Sequence, residues 1–198
     1  LHKGAFQEMR QAEMAAPVVK AAFTAQSAEH IGQEFARAVR HAQFGRPGPV
    51  HLSLPFDVLE HKVTATEQCI PAAHAFTTQP ACLGEAGIDA VLREINAAKR
   101  PLLLTGPAMS TDRGGAAREA LARALNLPVI CMESPRGVND PRLGALPTVL
   151  AQADLVVLIG KLPDFTLKFV QAPAFNAACR LIVLDPDPAM LTRAGYAI

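Results

Sequence analysis

The stretch "LVVLIG", residues 155–160, decides the fold. Five apolar side chains follow one another and end on a glycine. A strand with one wet face alternates apolar and polar residues. A continuous apolar run, rich in β-branched residues, is covered on both faces, the habit of strands in parallel sheets. Working outward, the same pattern returns as "PLLLTG" (101–106), "PVICM" (128–132) and "LIVLD" (181–185). Helical segments separate the runs. Ile88, Val91, Leu92 and Ile95 mark one helical face, a second helix over about 115–125 turns Ala117, Ala120, Leu121, Ala124 and Leu125 inward, and a short helix lies near 147–153. Alternating strands and helices define an α/β, Rossmann-like, doubly wound parallel sheet over residues 84–198.

Such sheets take ligands beyond the carboxyl ends of their strands. Here those ends read "TGPAMSTDRGG" (105–115), "ESPRG" (133–137), "GKLPDF" (160–165) and "DPDP" (185–188). Gly106 lets backbone approach a ligand, and Gly114 and Gly115 open a helix whose N-terminus suits an anion. Lys161, Arg113 and Arg136 are candidate phosphate partners, with a solvated loop cation as the competing reading. Asp185 and Asp187 are candidate acceptors for ribose hydroxyls. The alternative for Asp187 is a cap or turn residue before Pro188. GxGxxG, GxSxG, HExxH, P-loop and EF-hand patterns are all missing.

Residues 1–60 contain a strand–helix–strand crossover, the remnant of a second α/β domain. An extended run covers 18–24. Ser27 is a suitable N-cap for a helix over about 28–44, with Ile31, Phe35, Ala38, Val39 and Ala42 on its inner face. Gly45 suits the position after the helix end, and Pro47 prevents continuation. The next strand places Val50, Leu52 and Leu54 on one face and His51 and Ser53 on the other. His51 is expected to be a structural histidine. Residues 61–83 carry prolines and threonines with little periodicity and read as a linker.

Composition narrows the function. The 198 residues carry a net charge of +1, so no strong field attracts nucleic acid or an anionic membrane. With no Trp and one Tyr, base-stacking platforms are not expected either. Cys69, Cys82, Cys131 and Cys179 form no CxxC pair and no zinc set, which points to reduced thiols and a cytoplasmic setting. Cys131, in an apolar run, reads as a small core residue. No apolar run reaches the roughly 18 residues of a membrane span.

"GAFQEM" (4–9), "APVVK" (16–20), "GRPGPVHLSLPFDV" (45–58), "LVVLIGKLPDF" (155–165) and "LIVLDPDPAML" (181–191) resemble, in the same order, segments of thiamine diphosphate-dependent enzymes of the acetolactate synthase, benzoylformate decarboxylase and oxalyl-CoA decarboxylase group. The resemblance spans essentially the whole chain. It implies the C-terminal part of a pyrimidine-binding domain (1–60), a linker (61–83) and a central domain (84–198). It also implies chemistry on a 2-keto acid or acyl-CoA substrate, with thiamine diphosphate and Mg²⁺ in the full-length parent. By the same resemblance Phe6 and Gln7 border substrate and cofactor, and Lys20 matches a lysine of a "P-x-x-K" pattern. The family's cofactor-protonating glutamate is expected upstream of Leu1, and its GDG…N metal motif in a third domain. This polypeptide is therefore expected to be one part of a longer homo-oligomeric enzyme, inactive and without bound thiamine diphosphate on its own. The segment between "ESPRG" and "LAQADLVV" is short and lacks the glycine-rich, histidine-containing stretch of FAD-binding members. ADP or the ADP part of CoA is thus expected ahead of FAD. The reading from the other class is a free-standing nucleotide-binding or oligomerisation module without catalysis.

Overall fold

A computed structural model describes Gly4, residues 8–64 and residues 70–194. The chain divides into two compact units, Leu1–Ala81 and Cys82–Ile198.

In the second unit, four strands form one fully parallel sheet in the order β4-β3-β5-β6: β3 (Pro101–Thr105), β4 (Val129–Cys131), β5 (Leu155–Ile159) and β6 (Arg180–Leu184). The continuous apolar runs explain the two-faced burial. Leu102, Leu104, Val156, Leu158 and Val183 point into one core with Leu146, Leu150, Leu167 and Phe175. Leu103, Leu155, Val157 and Ile182 point into the opposite core with Val91 and Ile95. Helices α4 (Glu85–Ala97) and α5 (Asp112–Leu125) supply residues to the second core, while α6 (Leu146–Gln152) supplies the first. The sheet is Rossmann-like and doubly wound, as its sequence pattern predicts. Burying each large aliphatic side chain contributes roughly 1.5–3 kcal/mol, so the nine strand residues buried in these cores dominate the unit's stability. A further helix, α7 (Pro188–Ala194), follows β6.

Two helical details differ from expectation. α5 begins at Asp112, because the Thr111 hydroxyl accepts the Gly114 N–H at 3.1 Å and caps the first turn. Gly114 therefore lies within that turn, packed on the backbone of Ala108 and Met109, and does not open the helix. Ala117, Ala120 and Ala124 remain exposed, and only Leu121 and Leu125 reach the core. Small side chains on a helix packed by its larger residues do not bridge the gap to the sheet.

The first unit holds a two-stranded parallel sheet of β1 (Ala21–Thr24) and β2 (Val50–Ser53), with Ala21 opposite Val50 and Thr24 opposite Ser53. The connecting helix is α2 (Ile31–Gln43). Short helices α1 (Gln11–Ala15) and α3 (Phe56–Glu60) flank this crossover. The extended run is shorter than the sequence predicts, since Ala16–Val18 form a 3₁₀ turn around Pro17. α2 starts three residues later than expected. Ser27 does not cap it: the Ser27 hydroxyl lies 2.8 Å from His30 Nδ1, a local bond that competes with capping. At its far end the Phe44 N–H reaches Arg40 O at 2.8 Å, and Gly45 takes φ 60° as expected. The inner face also shifts. Ala36 is buried, whereas Phe35 is 55% exposed and stands edge-on to Phe76, 6.3 Å between ring centroids. On β2 it is Ser53 that is buried, Val50 and Leu52 are half-buried, and Leu54 beyond the strand is exposed. The stretch expected to be linker carries a 3₁₀ turn, Ala73–Phe76, that packs on α2.

Candidate functional site

The sheet order places a topological switch point between β3 and β5, where the chain direction of crossovers reverses. Gly106 ends β3 there and Gly160 ends β5. The Gly106 N–H donates to Ile159 O at 3.0 Å, and a Cβ on Gly106 would stand 2.1 Å from Gly160 O. Gly106 is thus required by close strand-end packing.

Lys161 follows Gly160 and is buried. Its Nζ donates to both carboxylate oxygens of Asp164 at 2.9 Å. Asp164 Oδ1 also accepts the Thr166 N–H at 3.0 Å and the Thr166 hydroxyl at 2.5 Å. Partial burial opposes charge on this carboxylate. The hydrogen bonds from Lys161 and Thr166 outweigh it and hold the pKa below the ordinary aspartate value. At β6, Asp185 Oδ1 accepts the Asp187 N–H at 3.0 Å, and Asp187 Oδ1 accepts the Ala189 N–H at 3.0 Å. Both carboxylates shape the turn into α7. Arg113 is exposed in the first turn of α5.

A cleft lies one strand further out. A cleft of about 580 Å³ follows β4, lined by residues 131–137 with Asp140, Arg142 and Leu143. Asp140 is buried, and its pKa is lowered first by a hydrogen bond from Ser134 and then by the Arg142 N–H, with the charges of Arg136 and Arg142 adding. Arg136 and Arg142 face the Asp140 carboxylate, and Glu133, Met132 and Leu143 belong to the same lining. Arg136, a candidate phosphate partner in sequence, lines this cleft; Asp140 and Arg142 do so too, and nothing in their spacing marks a cleft.

In the first unit, Lys20 Nζ donates to Phe44 O and to Arg46 O, the latter at 2.9 Å, and the Lys20 N–H donates to Pro49 O at 2.8 Å. The lysine holds the "GRPGP" turn at the carbonyl-rich end of α2, where a cation is favoured. His51 Nε2 lies 2.8 Å from the Ser53 hydroxyl, a structural contact. Phe6 and Gln7 lie outside the described residues.

The geometry defines an α/β protein with an open cleft after β4, at the carboxyl edge of its parallel sheet. Residues 88–197 match the family described as thiamine pyrophosphate enzyme, central domain, and the chain belongs to this family. It is 26% identical over 194 residues to oxalyl-CoA decarboxylase of Escherichia coli K12, covering 95% of this chain and 34% of that protein. It is 30% identical over 200 residues to a probable acetolactate synthase large subunit of Methanococcus aeolicus (93% and 33%). To 2-hydroxyacyl-CoA lyase 1 of Mus musculus it is 29% identical over 192 residues (92% and 32%). The chain therefore spans about a third of the length of these relatives.

Magnesium with a diphosphate needs several converging oxygen ligands. Among the described residues no group of three His, Cys, Asp or Glu side chains converges in that way. Among the described residues, no helix is long and apolar enough to cross a membrane.

Proposed function

We propose that this chain is the central domain, with the C-terminal part of a pyrimidine-binding domain, of an enzyme that uses thiamine diphosphate and Mg²⁺ to break or form a C–C bond in a 2-keto acid or acyl-CoA substrate. The observation that carries this reading is the family match over residues 88–197. The similarity to two enzymes named for CoA thioesters and to an acetolactate synthase supports the substrate class. The division between Ala81 and Cys82 falls inside the proposed linker, 61–83. Copies of the chain associate in this reading through the first unit, which exposes Leu54, Phe56 and Leu59. The cysteines at 82, 131 and 179 suit a reducing cytoplasm.

Within the central domain the cleft after β4 takes ADP or the ADP part of CoA in preference to FAD. Arg136 and Arg142 supply the charge for phosphate, and Met132 and Leu143 the apolar wall. Thiamine diphosphate itself is not held by this polypeptide alone, which is inactive as decarboxylase or carboligase. Titration calorimetry tests both statements on one sample. ADP or CoA is expected to bind and to lose affinity in Arg136→Ala, while thiamine diphosphate with Mg²⁺ gives no heat. Micromolar binding of thiamine diphosphate, or FAD retained through purification, overturns the reading.

A further inference from the structure

One face of the β4 cleft is shaped from outside it. Gly137 lines the cleft and takes φ 56°. A Cβ there would stand 1.9 Å from Thr166 O and 2.5 Å from Thr166 Cα, so the backbone of the segment after β5 presses directly on the cleft wall. That segment, Phe165–Val170, is not a regular helix. Lys168, Phe169 and Val170 all take positive φ, which non-glycine residues adopt only when other contacts hold them. The contacts that hold it converge on Asp164. Its carboxylate caps Thr166 through the N–H and the hydroxyl, and its carbonyl accepts the N–H groups of Leu167 at 3.0 Å and Phe169 at 2.9 Å. The carboxylate is in turn gripped by the buried ammonium of Lys161.

We propose that Asp164, held by Lys161, is the positioning residue of the β4 cleft: by capping Thr166 it sets where the Phe165–Val170 backbone meets Gly137. Lys161 acts through Asp164, not through contact with a ligand. The two functions of the carboxylate separate chemically. Its charge neutralises a buried ammonium, and its oxygen holds the cap. Asp164→Asn keeps an oxygen for the Thr166 N–H but removes the neutralising charge. Asp164→Ala removes both. Leaving a buried cation without its counter-charge destabilises the fold in either variant.

Cys131 lines the cleft and reports its shape without any ligand. Its alkylation by iodoacetamide, resolved by peptide mass spectrometry in the full chain, is compared with the exposed Cys82 as internal standard. Both variants are expected to melt at lower temperature. Relative to Cys82, the Cys131 rate is expected to rise about tenfold in Asp164→Ala, as for an eased local opening, and to stay at the wild-type value in Asp164→Asn. A Cys131 rate that follows melting temperature equally in both variants, or that moves in neither, overturns the proposal. A second arm rests on the nucleotide reading above. ADP affinity is expected to fall in Asp164→Ala and to hold in Asp164→Asn. Wild-type protein that fails to bind ADP defeats that reading alone, and the thiol rates still decide the positioning role.

Discussion

Glycines and lysines carry most of the local meaning at the scale of single residues. Gly106 and Gly115 sit nine residues apart in one loop-and-helix segment and answer to different physics. A Cβ at Gly106 would meet the backbone of Gly160, which cannot swing aside as a side chain does. Gly106→Ala is expected to destabilise the second unit by about 1–3 kcal/mol, the usual range for overpacking. Around Gly115 nothing lies within 4 Å, and it is inside α5. Gly115→Ala is expected to stabilise by about 0.5–1 kcal/mol through chain entropy. Urea titrations of the two variants check both signs, and equal effects would show that the strand-end packing does not constrain Gly106. The lysines make a related point. The sequence places Lys20 and Lys161 as candidate cofactor contacts. In the fold each has a partner from its own unit: carbonyls 24 and 26 residues away for Lys20, and Asp164 three residues away in an irregular loop for Lys161. The partners of Lys20 lie far away in sequence, and the i,i+3 spacing of Lys161 and Asp164 falls in a loop where no helix is expected, so no sequence pattern announces either pairing.

At the scale of elements, legibility follows burial. The strands of the second unit are readable because both faces are dry: "LLL" and "LVVL" have no polar residue to disturb the run. α2 and β2 are less readable because each is half-covered. Phe35 leans on Phe76 instead of the sheet, and Ser53 turns inward although an alternation count puts it outside. The start of α5 hangs on a single threonine, and Thr111→Ala is a cap loss of about 1 kcal/mol. The amino ends of β3 and β5 are tied by Asp154, whose carboxylate accepts the N–H groups of Lys99 at 2.7 Å and Arg100 at 2.8 Å. Those two bonds, first that of Lys99 and then that of Arg100, lower its pKa. A carboxylate with a depressed folded pKa contributes its full stability above the unfolded value of about 3.9. That contribution is lost as pH falls through the folded value. Asp154→Asn is therefore expected to be less stable than wild type at neutral pH, with the gap closing as pH falls below the unfolded value and through the lower folded one. Urea midpoints across this range measure it. A gap independent of pH would mean that the bonds to Asp154 do not depend on its charge.

The whole molecule joins two units of unequal strength. Among the described residues the first unit buries only Ala25, Ala36, Ser53 and Val58, and its sheet has two strands. A two-stranded sheet is marginal in water on its own. The second unit buries Leu102, Leu103, Leu104, Leu155, Val156, Val157 and Leu158 at 1% exposure or less, in two cores separated by the sheet. Apolar burial scales the free energy of opening, so backbone amides in the two units open at different cost. In native-state hydrogen exchange of the full chain, the amides of β3 and β5 are expected to approach the limit set by global unfolding. Those of β1 and β2 are expected to exchange at least about a hundredfold faster. Raising the protein concentration separates two origins of any remaining protection. If copies associate through the first unit, protection of β1 and β2 rises with concentration while that of β3 and β5 does not change, because mass action stabilises only what the association requires. Equal exchange in both sheets at all concentrations would show one cooperative body, and would remove the basis for treating residues 8–64 as the weaker, association-prone part of this chain.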